Sequence, residues 1–174
     1  MQISTPLYSD IFKYIRTREQ AKEFYEGVEA ISDLSFVIDN GNVNVLKKTF
    51  PIDIAEAIYQ IVHISNINEK DPMHLKQFLL GLKEEVEKAK IADVTLGIVP
   101  DHEFIINLSN SLREALNDQT LVMSLKTDAT IIGGIELIWS GRYWNLSLEK
   151  QIDLWFANKS TSNNKEQMTS AHSL

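Results

Sequence analysis

The sequence predicts an α+β chain: an N-terminal all-α helical bundle followed by a small α/β domain with the order strand-helix-strand-strand-strand-helix. Three observations predict it. Up to Lys90, apolar residues recur every three or four positions, the period of a helix with one buried face. After Lys90 the period drops to two, as in half-buried strands. From Asp128, "DATIIGGIELIWSGRYWN" sets a Gly-Gly pair in an apolar run and then a Ser-Gly turn before an aromatic run. These changes of period divide the chain into a helical domain at 1–90, a small α/β domain at 91–157 and a polar tail at 158–174.

The first helix is expected from Leu7, Ile11 and Ile15, with Tyr8 and Phe12 beside them. Thr17 then opens "TREQ", a capping box in which the Thr hydroxyl and the Gln20 amide satisfy free N–H groups at a helix start. Ala21, Phe24, Tyr25, Val28 and Ile31 continue at helical spacing, and "DNGN" from Asp39 to Asn42 signals a turn. A shorter helix from Asp53 carries Ile54, Ile58, Ile61 and Val62. Asp71 caps a longer one that Pro72 opens, since proline at the first helical position forfeits no hydrogen bond. Its stripe is Leu75, Phe78, Leu79, Leu82, Val86 and Ala89.

In the second half, "DVTLGIV" alternates with Val94, Leu96 and Ile98 on one face. Pro100 and Asp101 end that strand and cap a helix bearing Phe104, Ile105, Leu108, Leu112 and Leu116. Alternation resumes at Thr120–Lys126, and "IIGGIELIW" with "RYWN" reads as a hairpin around a two-residue turn. Paired glycines within a strand mark a bulge, a bend or a close contact more often than a phosphate loop, which joins a strand end to a helix start. A final helix from about Leu146 presents Leu148, Ile152, Trp155 and Phe156. From Asn158 on, the chain is polar and without period, too poor in apolar area to offset the cost of ordering, so a disordered tail is expected.

Composition narrows the function classes. The net charge is −7, and both halves are acidic: residues 1–90 hold 11 basic and 14 acidic groups, the remainder 6 and 10. Without a basic face, nucleic acid is not expected as a partner, nor is direct anchoring to anionic lipid. Cysteine is absent, so thiol catalysis and thiolate metal sites are ruled out. No apolar run is long enough to span a bilayer, and "MQISTPLYSDIFKYIR" lacks the pattern of a signal peptide, so the expectation is a soluble cytoplasmic chain. His63, His74, His102 and His172 fall in no metal-binding frame, and no nucleophile or nucleotide motif is present. Glu84, Glu85 and Glu87 alternate with Lys83, Lys88 and Lys90 as on a solvated helix face. Trp139, Trp144 and Trp155 are expected to pack the small domain. No catalytic residue, cofactor or metal is expected.

The stretch "DATIIGGIELIWSGRYWNLSLEKQIDL" resembles the C-terminal signature of the delta subunit of F-type ATP synthases, the bacterial counterpart of the oligomycin-sensitivity-conferring protein. Asp128, Ile131, Ile132, Gly133, Gly134, Gly141, Tyr143 and Ser147 occupy matching positions, and Asn145 stands where that family usually has Asp. "KEEVEKAKIADVTLGIVPDHEFIINLSNSLREAL" is similar to the long helix, strand and second helix upstream, and "LYSDIFKYI" to the family's first helix. The likeness runs from about Lys83 to Leu154 and is slight over residues 1–82.

The resemblance implies a non-catalytic subunit of the peripheral stalk. Such a subunit joins the catalytic head to the b subunits, so that rotation driven by protons or sodium ions is coupled to ATP synthesis. It implies a location on the cytoplasmic face of the bacterial cell membrane, reached only through the complex. The helical domain would receive the N-terminal helix of an alpha subunit, with Leu7, Ile11, Phe12 and Ile15 as candidate contacts. Leu148, Ile152, Trp155 and Phe156 are candidates for the b contact, and Asp128, Ile132, Gly133, Gly134, Gly141 and Ser147 for the structural signature. The E-type stalk subunit of V/A-type ATPases has a similar strand-glycine-strand plan but begins with a long charged helix. A small-molecule enzyme on the α/β half is the remaining alternative, and no motif supports it.

Overall fold

A computed structural model describes residues 8–34, 42–65, 67 and 71–154. The chain is α+β, with helices in the N-terminal half and a four-stranded mixed sheet with a helix after it. A short 3₁₀ turn, Asp10–Lys13, is followed by α1 (Arg18–Leu34), α2 (Asn42–Thr49), α3 (Ile52–Ile64) and α4 (Pro72–Glu87). Then come β1 (Ile91–Leu96), α5 (His102–Ala115), β2 (Val122–Thr127), β3 (Ile135–Trp139) and β4 (Arg142–Asn145). A last helix, α6, is described over 148–154. The expected tail at 158–174 lies outside the described residues.

The helix starts follow the expected capping chemistry. The Gln20 side chain accepts from the amides of Arg16 and Thr17 at 2.8 and 3.2 Å, while Thr17 Oγ1 accepts from the Gln20 amide at 3.3 Å. Asp71 accepts from the Met73 and His74 amides ahead of α4, and Asp101 accepts from the Phe104 amide at 2.7 Å ahead of α5. The first element departs from expectation: its described part is chiefly a 3₁₀ turn, with Ile11 and Phe12 buried. Helix α2 was not anticipated, because eight residues rich in Asn and Val have low helix propensity. The available signal was Leu46 and Phe50, four apart and both buried.

The chain forms two compact units, Met1–Ala92 with Asp101–Ser124, and Asp93–Pro100 with Leu125–Leu174. The first unit thus holds α5 in addition to the expected 1–90. Its core joins Ile11, Phe12, Ile15, Phe24, Leu79 and Leu82, with Val122 in the same cluster. Phe24 and Phe50 stack at 5.7 Å between ring centres. Arg113 explains the membership of α5: it is buried, and its Nη2 donates to the carbonyls of Ile15 (3.1 Å) and Leu121 (2.8 Å). Burial, and then the neighbouring Arg16, push its guanidinium down to about 10, so it stays charged at neutral pH.

The sheet order is β2-β1-β3-β4. Val122 donates to the Lys90 carbonyl and Asp128 to that of Leu96, a constant offset that makes β2 parallel to β1. The pairs β1–β3 and β3–β4 are antiparallel, with Val94 opposite Leu137 and Leu137 opposite Trp144. Val94, Leu96, Leu137 and Trp139 are buried, whereas Ile138 and Tyr143 are exposed on the other face. Ile98, expected on the buried face of β1, lies beyond its end at Leu96 and is exposed, because the chain bends at residues 97 and 98.

Candidate partner-binding surface

The second unit builds a corner from the segment Asp128 to Ser147. Leaving β2, Asp128 accepts from the Thr130 hydroxyl and amide at 2.7 and 2.9 Å, and these bonds hold its carboxyl below the usual range. The Asp128 carbonyl accepts from the Ile131 amide at 3.1 Å, which closes the turn. The glycine pair was expected within a strand. It instead forms a bend ahead of β3, which starts at Ile135. Gly133 and Gly134 have φ of 62° and 88°, in the left-handed region that disfavours residues with a Cβ. A Cβ on Gly134 would also strike the Leu146 carbonyl and come within 2.9 Å of Ser147 Cα. The pair therefore bends the chain and admits a second strand of backbone at close range.

The hairpin that follows is as expected. Trp139 pairs with Arg142 across Ser140 and Gly141, whose φ values of 48° and 75° suit a two-residue turn matched to strand twist. On the exposed face of the hairpin, Tyr143 donates to Glu136 Oε1 at 2.7 Å and Asn145 Nδ2 donates to the same oxygen at 3.0 Å. The bond to Glu136 raises the Tyr143 phenol above its ordinary range. Asn145 also accepts through Oδ1 from the Ser147 amide and hydroxyl at 3.0 and 2.6 Å. Asparagine is the residue type that serves both ends, since a carboxylate could accept from Ser147 but not donate to Glu136.

Buried Ser147 is the cap of α6. Its Oγ accepts from the Lys150 amide at 3.3 Å, so the helix starts two residues after the expected Leu146. The Leu148 amide donates to the Gly133 carbonyl at 2.9 Å and to that of Ile132 at 3.2 Å. These bonds tie the start of α6 to the glycine bend.

The candidate residues fall into three groups. Leu148 and Ile152 are exposed at 49% and 45%, a partly uncovered apolar face on α6. Ile132, in the signature, is exposed at 62%. Ile11, Phe12 and Ile15, the candidate alpha-helix contacts, are at most 2% exposed, and their side chains fill the core of the first unit. Leu7, Trp155 and Phe156 lie outside the described residues. Of the tryptophans, Trp139 is buried and Trp144 half-buried.

Among the described residues no group of three or more His, Asp or Glu is placed to hold a metal ion. His74 faces Asp71 at 3.4 Å, and His63 and His102 are exposed. Lys88 pairs with Glu85 on the charged face of α4, while Lys83 reaches Glu29. No helix among these residues is long and apolar enough to cross a membrane. Sequence reasoning missed Arg113, because hydropathy scores arginine as a surface residue. It also missed the Glu136–Tyr143–Asn145 cluster, whose only trace was polar residues at alternate positions of paired strands. No protein-family model and no curated protein sequence matches the chain.

Proposed function

We propose that this chain is a non-catalytic peripheral-stalk subunit of an F-type ATP synthase, linking the catalytic head to the b subunits at the cytoplasmic face of a bacterial membrane. The observation that carries the reading is the segment Asp128 to Ser147, in which five of the residues shared with the delta-subunit signature shape the backbone. Asp128 closes a turn, Gly133 and Gly134 bend the chain, Gly141 turns the hairpin, and Ser147 caps α6. A stator element resists torque and needs a stiff frame behind its contact surface. Backbone hydrogen bonds tie the bend to the start of α6, which supports that reading.

In this reading Leu148 and Ile152 contact the b subunits, and the first unit receives the alpha-subunit helix on a surface other than the buried Ile11, Phe12 and Ile15. Holding through many turnovers calls for nanomolar affinity, about −12 kcal/mol, and about 1,600 Å² of interface shared among the partners.

The test is capture from detergent-solubilised membranes with the purified full-length chain as bait. The expected result is recovery of alpha and b subunits together, with Leu148→Asp and Ile152→Asp losing b while keeping the far-UV spectrum of the parent. Recovery of neither subunit by the folded parent chain would end the proposal.

A further inference from the structure

Three donors of the first unit lack an acceptor among the described residues. The Arg16 guanidinium makes no hydrogen bond or ion pair there, although its Nε is buried. Arg113 donates through Nε and Nη2 to the Leu121 and Ile15 carbonyls, which leaves Nη1 without a partner. The bond to Ile15, the residue before Arg16, brings the two arginines together. Burial lowers the Arg113 guanidinium, and the Arg16 charge lowers it further. Ser109 lies one turn before Arg113 on the same face of α5. It is wholly buried, and its hydroxyl has no partner either. Helical side chains lean back toward the N-terminus, so Arg113 extends over Ser109.

Buried donors without acceptors are costly, and neighbouring cations without a carboxylate are costlier still. The chain holds 24 acidic residues, yet none pairs with either arginine among the described residues. Burial lowers the Arg16 guanidinium, and the Asp53 charge restores it in part. Asp53 is engaged elsewhere: its Oδ1 accepts from the Ile54 amide at 3.0 Å, at the start of α3.

We propose that Arg16, Arg113 and Ser109 form a site for a small free oxyanion of the phosphate or sulfate class, which supplies the acceptor these donors lack. Guanidinium groups present planar forks that match the oxygens of such an anion, and the hydroxyl adds a further donor.

The experiment titrates the purified full-length chain with inorganic phosphate at an ionic strength held constant with chloride. Two signals are read by NMR: the Arg16 Nε–H resonance and the width of the phosphorus line. Both are expected to change saturably with phosphate and not with chloride. By the phosphorus line, Arg16→Gln is expected to weaken binding about tenfold and Ser109→Ala about threefold. Asp53→Asn removes a carboxylate that repels the anion and is expected to tighten binding about threefold. Each variant is first checked for the far-UV spectrum of the parent. Absence of a saturable change in the parent would overturn the proposal, as would parental affinity in Arg16→Gln. Weaker binding in Asp53→Asn would show that the anion does not sit at Arg16, and an equal response to chloride would overturn the oxyanion class.

Discussion

The Arg113 guanidinium donates to the backbone carbonyl of Ile15, 98 residues earlier in the chain, at 3.1 Å. Among the described residues its hydrogen bonds go to backbone carbonyls and not to a carboxylate. It satisfies two carbonyls that would otherwise lie unpaired in the core. Replacement by methionine keeps much of the volume and removes both bonds. The expected loss is about 2–4 kcal/mol, from carbonyls left without donors. Urea unfolding measures it, and a midpoint equal to the parent's would refute this account of the residue.

Gly133 and Gly134 are neighbours with different surroundings, so their alanine variants separate backbone strain from collision. An added Cβ on Gly133 sits 3.4 Å from Leu148 Cβ, an ordinary contact, and costs about 1–2 kcal/mol from the left-handed φ alone. On Gly134 the same Cβ meets the Leu146 carbonyl, which adds about 1–3 kcal/mol of overpacking. Thermal unfolding of the two variants is expected to rank Gly134→Ala clearly below Gly133→Ala. Equal melting temperatures would mean that the close approach relaxes freely.

Asn145→Asp introduces an acidic residue at the position where the resembling delta-subunit signature carries one, and is expected to be harmful here. It keeps the acceptor for Ser147, loses the donor to Glu136, and sets a second carboxylate beside it. The expected cost is about 1 kcal/mol at neutral pH, shrinking as pH falls and the carboxylates take up protons. The double variant Asn145→Asp with Glu136→Gln is expected to regain most of the loss, which a double-mutant cycle reads directly.

Asp118 gives a pH dependence. Burial raises its carboxyl, but the Thr120 hydroxyl and amide and the ammonium of Lys90 outweigh this and leave it lowered. Its oxygens lie 2.8 Å from Thr120 Oγ1 and 3.3 Å from Lys90 Nζ. A carboxyl lowered by folding binds fewer protons in the native state than in the unfolded one. Its contribution is therefore complete above the ordinary aspartate range, about pH 4, and fades as pH falls below it. Asp118→Asn is expected to be less stable than the parent at neutral pH and to lose less on acidification. Parallel stability curves for the two proteins would contradict the assignment.

Much of the fold was legible because its signals are local. The capping box at Thr17, the Asp71-Pro72 start of α4, the Asp101 cap and the Ser140-Gly141 turn depend on residues within four positions of each other. The glycine pair was legible as architecture but not in its form, since the carbonyl that forbids a side chain at Gly134 belongs to Leu146, twelve residues on. The core place of Ile11, Phe12 and Ile15 was not decided by the sequence, because an apolar stripe looks alike whether it faces the core of its own chain or a partner. Arg113 was invisible for the opposite reason. Its burial is decided by two distant carbonyls, and no pattern within α5 announces them.

The core that joins Ile11 and Phe24 to Val122 has a consequence for biosynthesis. A ribosome that has just released Ala92 has delivered four helices of the first unit but neither Arg113 nor Val122. At about 5–20 residues per second, the missing pieces follow a few seconds later. Until then the nascent helices carry an unfinished apolar face, and a chaperone stationed at the tunnel exit would meet its client in that interval.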